Sequence, residues 1–433
     1  MKLNKIEIKN FKCFENESII LHPKLNILMG NNGTGKTSLL EAFRILIGSL
    51  YLAFDKYKEK IEMPGIVKDD IRLKTVSNSL EPQIPTNVSA NAVVDEVFLP
   101  TPEQPYQLFD NNEITWRRSM ETFGGKTTTR DAKEMFAVSK NIQEAVRRGD
   151  EVNIPLVTYF STDRYKKERR DTDISKAGSR MRGYFNALDT TTNTKFFLDL
   201  YYTETLDEIQ NNVVSPLLAA VNAAVRNCVN CQTMRYNLKT KELLMVYDNG
   251  DFMPFNLLSD GIRCTLAMVM EIAFRCYLLN PHLGVNAPVM TKGVVLVDEI
   301  DLHLHPSWQL HILNDLRAAF PEIQFIVTTH APLVISQIHD CNIYSISEHQ
   351  IYNFPSQNGR DANYILQQMN VPYIKQDSKD MLDRYFGLID SGKGKTEEAI
   401  TLRKELQSLL GEGHAELRRA DMLLSFFYFV RAL

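Results

Sequence analysis

The stretch Gly30-Asn31-Asn32-Gly33-Thr34-Gly35-Lys36-Thr37 decides the reading of this chain. It fits G-x-x-x-x-G-K-[ST] at every fixed position, and each position has a mechanical reason. The glycines let successive backbone N–H groups curl round a phosphate, where side chains would block the approach. Asn31, Asn32 and Thr34 complete the cradle, and Ser38 follows it. Lys36 reaches the β- and γ-phosphates as a point charge, and the Thr37 hydroxyl suits Mg²⁺. The flanks agree. Leu25-Asn26-Ile27-Leu28-Met29 reads as a strand, and Thr37 to Leu52 as a helix with Leu40, Phe43, Ile47 and Leu50 on one apolar side. That helix turns its positive end toward the phosphates. The implied cofactors are ATP and Mg²⁺.

Working outward, three later segments extend the site. Val294-Val295-Leu296-Val297 runs apolar into Asp298-Glu299. Ligands gather where parallel strands end, so two carboxylates arrive beside the loop. Asp298 is the expected Mg²⁺ holder, and Glu299 the residue that orients or deprotonates the attacking water. His330 ends the next apolar strand and is expected to sense or polarise the γ-phosphate. Ser259-Asp260-Gly261 opens a helix that Ser259 is expected to cap. Its N-terminus is a second anion site in a chain that already has a complete phosphate loop. The economical reading is that it serves the ATP of a second protomer, with two-fold symmetry burying two nucleotides.

The bulk numbers set limits. The 433 residues allow roughly two or three domains. With 44% hydrophobic and 24% charged residues the chain can build a large core. A net charge of −4 gives no global field for nucleic acid, so any such contact needs a local patch. Cysteines 13, 228, 231, 264, 276 and 341 are scattered as in a reducing cytosol. The opening Met1-Lys2-Leu3-Asn4-Lys5 leads into alternating text rather than an apolar leader core, and no stretch approaches the ~20 apolar residues of a membrane span. The expectation is a cytoplasmic protein with no membrane contact.

Along the chain, residues 3–29 read as strands, and 53–150 as loops and short strands around prolines 64, 82, 85, 100, 102 and 105. A helix is expected from Asp131 to Arg148, a strand at Pro155–Phe160, helical text over 190–230 and strand pieces over 233–256. A helix over 262–279 precedes two buried strands, 293–298 and 324–329. The tail, 361–433, reads as three helices. One has Ala399, Leu402, Leu406 and Leu409 on a face and stops at Gly411.

The order of these segments, with Leu257-Leu258-Ser259-Asp260-Gly261-Ile262-Arg263, resembles the ABC-type ATPases of the SMC, RecF and OLD kind. Ile6-Glu7-Ile8-Lys9-Asn10-Phe11-Lys12-Cys13-Phe14 is similar to their first strand and basic-aromatic turn, which implies that Lys12 lies near the nucleotide. Val297-Asp298-Glu299-Ile300-Asp301-Leu302-His303-Leu304-His305-Pro306 resembles their Walker B and D-loop. The implied fold is an α/β ABC-type head, a mixed β-sheet with flanking helices, an inserted helical lobe and a helical C-terminal tail. The implied division is 1–52 with 255–350 for the split head, 53–254 for the lobe and 351–433 for a partner-docking region. Asp260 stands where transporters carry glycine, which argues against transport. No residue presents itself as the family's Q-loop glutamine.

The tail separates the members. OLD-type nucleases append a metal site with a D-x-D cluster, and no D-x-D follows residue 331. The text Gly359-Arg360-Asp361-Ala362-Asn363-Tyr364-Ile365-Leu366 and the helices after it look like the PtuA family of Septu and some retron anti-phage systems. That likeness implies a homodimer or higher oligomer and a PtuB-like HNH nuclease cutting in trans. Nucleic acid or a retron ribonucleoprotein is a further implied partner. A RecF-like DNA-repair clamp is the alternative, and an OLD-like ATPase-nuclease a weaker one.

Other signals are weaker. Cys228-Val229-Asn230-Cys231 has metal spacing but no second pair nearby, so it reads as core. His303 and His305 read as structural or interfacial. The run Arg164 to Arg170 could track a phosphate backbone but is more often a solvated face. Phe426-Phe427-Tyr428-Phe429-Val430 reads as a packed terminal helix, with a docking patch as the alternative.

Overall fold

The computed structural model describes residues 1–54, 61–99, 112–165, 179–191, 194–229, 231–355, 359, 364–366, 376–411 and 414–430. They fall into two compact units, Met1–Arg360 and Asp361–Leu433.

The first unit is organised by a six-stranded mixed sheet. Its strands are β3 (Leu25–Met29), β8 (Leu156–Phe160), β12 (Gly293–Val297), β13 (Ile323–Thr329), β14 (Asn342–Ser347) and β15 (Gln350–Phe354). The order is β8-β12-β13-β3-β14-β15, parallel except for the antiparallel edge strand β15. Every residue of β3, β8, β12 and β13 is buried, which explains why they read as unbroken apolar runs. Val297 pairs with Phe160 on one side and Val327 on the other, and Thr329 pairs with Met29. The strands therefore finish together along one edge. Helix α1 (Lys36–Gly48) leaves β3 through the glycine loop; it stops four residues short of the expected end at Leu52, and a 3-10 turn, Ser49–Tyr51, continues it.

A second sheet is antiparallel, in the order β2-β1-β6-β7, from β1 (Lys2–Phe11), β2 (Phe14–Ile20), β6 (Thr86–Val93) and β7 (Glu113–Met120). Strands β6 and β7 correct the reading of 53–150 as loops and short strands, since each is eight residues long. The alternation in Thr86-Asn87-Val88-Ser89-Ala90-Asn91-Ala92-Val93 is present, but small polar residues and alanines carry it, so its strand propensity is low. Its fit against β1 outweighs that. Residues of β7 grip the end of α1: Trp116 Nε1 donates to the Leu46 carbonyl at 3.2 Å, and Arg118 Nη1 to Ser49 Oγ at 3.3 Å. Burial pulls the Arg118 guanidinium down to about 10. Its charge still suits the negative end of the helix.

Two-stranded β4–β5 (Leu73–Val76, Ser79–Pro82) and three-stranded β9–β11 (Thr233–Asn237, Glu242–Val246, Phe252–Pro254) complete the strands. The helices α2 (Lys133–Arg148), α3 (Thr194–Asn211), α4 (Pro216–Cys228) and α5 (Asp260–Leu279) follow the expected text. Helix α5 is buried on nearly all sides. Within it Arg275 is held by Glu271 at 2.7 Å and donates to the Gly183 and Phe185 carbonyls, so the segment before α3 is fastened to α5.

Among the described residues, the second unit includes the helices Gln376–Asp390, Glu397–Leu410 and Ala415–Val430. Leu382, Tyr385, Ile389, Ala399, Leu402, Leu406, Leu417 and Ala420 form its core. Leu409 is exposed, against expectation, and Leu410 packs instead. Ten residues at 3.6 per turn carry position 409 about a quarter turn away from the face set by Ala399. Gly411, at φ 87°, ends that helix. The side chains of Arg164 and Tyr165, residues 166–170 of the basic run, Asn230 of the cysteine pair, and the side chains of residues 426–430 lie outside the described residues. Among the described residues no helix is long and apolar enough to cross a membrane.

Gly293 tests the sheet. A Cβ there would fall onto the Leu156 backbone of β8. Gly293→Ala is expected to cost about 3 kcal/mol, read as a lower midpoint in thermal unfolding. A wild-type midpoint would refute the close approach.

Candidate nucleotide site

The glycine loop leaves the end of β3 and closes on itself. Lys36 Nζ donates to the carbonyls of Gly30 at 2.7 Å and Asn31 at 2.9 Å, and Thr34 Oγ1 to the Asn31 carbonyl at 2.9 Å. The turn between β1 and β2 lies against this loop. Gly35 sits at φ 109°, and a Cβ on it would fall 2.6 Å from Cys13 Sγ and 2.9 Å from Phe14 Cζ. Both the backbone conformation and the space demand glycine. Lys12, in the same turn, is ion-paired with Asp70 at 3.4 Å, and its backbone N–H donates to the Asp70 carbonyl.

Asp298 follows β12 and is 1% exposed. Its carboxylate accepts from Thr37 Oγ1 at 2.9 Å and Thr328 Oγ1 at 2.6 Å. Its own N–H donates to the Phe160 carbonyl on β8 at 2.8 Å. Glu299 adopts φ 47°, a conformation a glutamate rarely takes, and its N–H donates to Thr328 Oγ1 at 2.7 Å. Thr328 thus fixes both carboxylates' backbone turn. Asp301 is 8% exposed, accepts from Thr329 Oγ1 at 2.6 Å and lies 3.5 Å from His330 Nε2. Burial lowers the pKa of Lys36, while Glu299, Asp298 and Asp301 push it back up.

The Thr37 hydroxyl and the Asp298 carboxylate are adjacent hard oxygen donors, the kind Mg²⁺ takes. The donor set fits. Mg²⁺ bound there would draw charge from the terminal phosphates. The loop N–H groups would hold the phosphates, and Lys36 would swing from carbonyl oxygens to phosphate oxygens.

Ser259-Asp260-Gly261 opens α5. Ser259 stands at the N-cap position, yet its hydroxyl takes no N–H of the helix, so the expected cap is not made. Asp260 pairs instead with Arg263 at 2.6 Å. Ser259 and Asp260 are exposed, as is Leu257 at 71%. Gly261 abuts the His303 and Leu304 backbone, where any Cβ would collide. His303 has φ 60°, and His305 accepts from the Ser307 N–H at 3.3 Å, capping the short turn Pro306–Gln309. Cys228 and Cys231 are buried, and burial pushes the Cys231 thiol up to about 11.

Sequence reasoning missed Thr328, Thr329 and Asp70 as supports, and gave Asp301 no role. Two hydroxyls ending β13 just before His330 were a readable signal. The Lys12–Asp70 pair was not, because it joins distant loops.

Residues 1–335 match the family described as AAA ATPase domain, and the chain belongs to it. It is 23% identical over 491 residues to the Retron Vc95 probable ATPase of Vibrio cholerae serotype O1 biovar El Tor, covering 97% of this chain and 85% of that protein. It is also 23% identical over 425 residues to the Septu protein PtuA of Bacillus mycoides strain KBAB4, covering 93% of this chain and 50% of that protein. Among solved structures, an SMC head bound to the C-winged helix domain of ScpA aligns with a TM-score of 0.48 and 16% identity, over 82% of this chain and 98% of that one.

Asp301 and His330 give a test. Asp301→Asn keeps the acceptor for Thr329 and removes the charge facing His330. ATP turnover is expected to fall about tenfold in kcat with KM for ATP unchanged. In a His330→Ala background the same change should have no further effect. Additive losses in steady-state kinetics would sever the two residues.

Proposed function

We propose that this ATPase works as a two-fold dimer closed around two ATP–Mg²⁺, each held by one subunit's glycine loop and the other's Ser259-Asp260-Gly261. In each site Thr37 and Asp298 hold the metal, Lys36 and the loop N–H groups from Asn31 to Ser38 hold the phosphates, and Lys12 approaches the nucleotide from its turn. Glu299 prepares the water and His330 contacts the γ-phosphate. ATP binding closes the dimer; hydrolysis or ATP loss reopens it and licenses a PtuB-like HNH nuclease. That partner docks on the helices of the region 351–433, which follow β15, and the assembly serves anti-phage defence in the cytoplasm. Nucleic acid or a retron ribonucleoprotein is a further partner of the assembly.

The observation that carries this reading is the Thr37–Asp298 clasp at the sheet edge, together with a helix start left open to a partner. The likeness to a retron ATPase and to PtuA supports the defence setting.

The test combines turnover with mass. Lys36→Ala should abolish ATP binding, and Glu299→Gln should bind ATP, cut turnover at least a hundredfold and shift the protein to dimer mass when ATP is added. Ser259→Arg should stay monomeric with ATP and turn over as slowly as Glu299→Gln. Turnover in Ser259→Arg equal to wild type, at a mass of one chain, would end the shared-site reading. Co-purification with a co-expressed PtuB-like HNH nuclease, lost when residues 361–433 are removed, checks the docking region.

A further inference from the structure

We propose that Thr328 is a positioning residue for both halves of the chemistry. Its one hydroxyl sets the carboxylate that holds Mg²⁺ and the turn that presents Glu299, so that metal binding and water preparation respond together. This rests on the roles given above to Asp298 and Glu299, and adds the residue that joins them.

A hydroxyl carries one proton and two lone pairs. The Glu299 N–H reaches Thr328 Oγ1 at 2.7 Å, and a backbone N–H can only donate. Thr328 Oγ1 is therefore the acceptor in that bond, and its own proton goes to Asp298 Oδ1, 2.6 Å away. The pair of bonds has one fixed direction, from Glu299 to Thr328 to Asp298. Thr37 Oγ1 donates to the other carboxylate oxygen, Asp298 Oδ2, at 2.9 Å. Thr37 is one of the metal's own donors. Thr328 works from the oxygen that Thr37 does not use, and orients the carboxylate from there.

The surroundings make this hydroxyl hard to replace. Thr328 is 0% exposed, so bulk water cannot take over its bonds. Its β-branched side chain has few χ1 choices, which fixes where the oxygen stands. Glu299 sits at φ 47°, a conformation that its surroundings must hold, and its N–H is held by that same oxygen. The Thr328 carbonyl separately accepts the Ile300 N–H at 3.0 Å. Loss of the side-chain hydroxyl leaves that backbone bond in place, so the bend stays tied to β13 while both oriented bonds go. Thr329, the next residue, gives its hydroxyl to Asp301 at 2.6 Å and serves as the neighbour for comparison.

The experiment reads metal binding and turnover separately on the full chain. Mn²⁺ is titrated by electron paramagnetic resonance with a non-hydrolysable ATP analogue present, and ATPase kinetics are taken at saturating Mg²⁺. Thr328→Val, which nearly keeps the shape and removes both bonds, should weaken Mn²⁺ binding by about tenfold or more. It should lower kcat by about tenfold or more, with KM for ATP within about twofold of wild type. Thr328→Ser keeps the hydroxyl and should bring both readings back to within about threefold, the remainder reflecting a looser χ1. If Thr328→Val does not fold, Thr328→Cys, whose thiol bonds weakly, carries the same expectation. Thr329→Val should leave the Mn²⁺ affinity within about twofold of wild type. Wild-type Mn²⁺ affinity or wild-type kcat in Thr328→Val overturns the proposal. So does a serine variant as damaged as the valine one, or an equal loss of Mn²⁺ affinity in Thr329→Val, since either marks general damage to the strand end. Wild-type turnover in Glu299→Gln would instead remove the role proposed for Glu299, and the Mn²⁺ titration would still decide whether Thr328 sets Asp298.

Discussion

A carboxylate as deeply buried as Asp298 must be met by donors, because an unpaired charge there would cost several kcal/mol. It is met from two directions. Thr37 reaches it from α1, 261 residues away in the chain, and Thr328 from β13, 30 residues away. Three elements must therefore arrive in register before the bond set closes. The parallel pairing of β12, β13 and β3 delivers them, since Val297 lies beside Val327 and Met29 beside Thr329. Once closed, the same bonds hold two oxygen donors in contact before any metal arrives. Little rearrangement is then left for Mg²⁺ to induce.

Around this point the structure uses arginine to join layers. Arg118 ties β7 to the far end of α1, and Arg275 ties α5 to the segment between β8 and α3. The two solve burial differently. Arg275 has a carboxylate partner in Glu271; among the described residues Arg118 has a hydroxyl and a carbonyl, plus the field of a helix end. Removing either would leave neighbouring carbonyls and hydroxyls without donors in the interior, which is worse than losing packing alone.

Much of this was legible in the residues. The glycine loop, the two carboxylates after Val297 and the four buried strands all announce themselves locally, by motif or by unbroken apolar runs. Strand β6 did not, because threonine, serine, asparagine and alanine carry most of its alternation; β7 places Ile114 and Trp116 inward, but prolines 100, 102 and 105 interrupt the text before it. The cap expected of Ser259 failed for a different reason: Asp260 turned to Arg263, and the serine hydroxyl took no helix N–H. Of the supports of the site, the paired hydroxyls of Thr328 and Thr329 could be read at the end of their strand, whereas Asp301 beside His330 depends on tertiary register.

The meeting of Gly261 with the His303 carbonyl has a consequence of its own. Main chain touches main chain there, with no flexible group between. A shove delivered to the start of α5 passes straight into the bend that begins at Glu299. Signals relayed through ion pairs fade as salt rises. One passed by steric abutment does not, so this linkage should hold its stiffness across the ionic strengths a cell can reach.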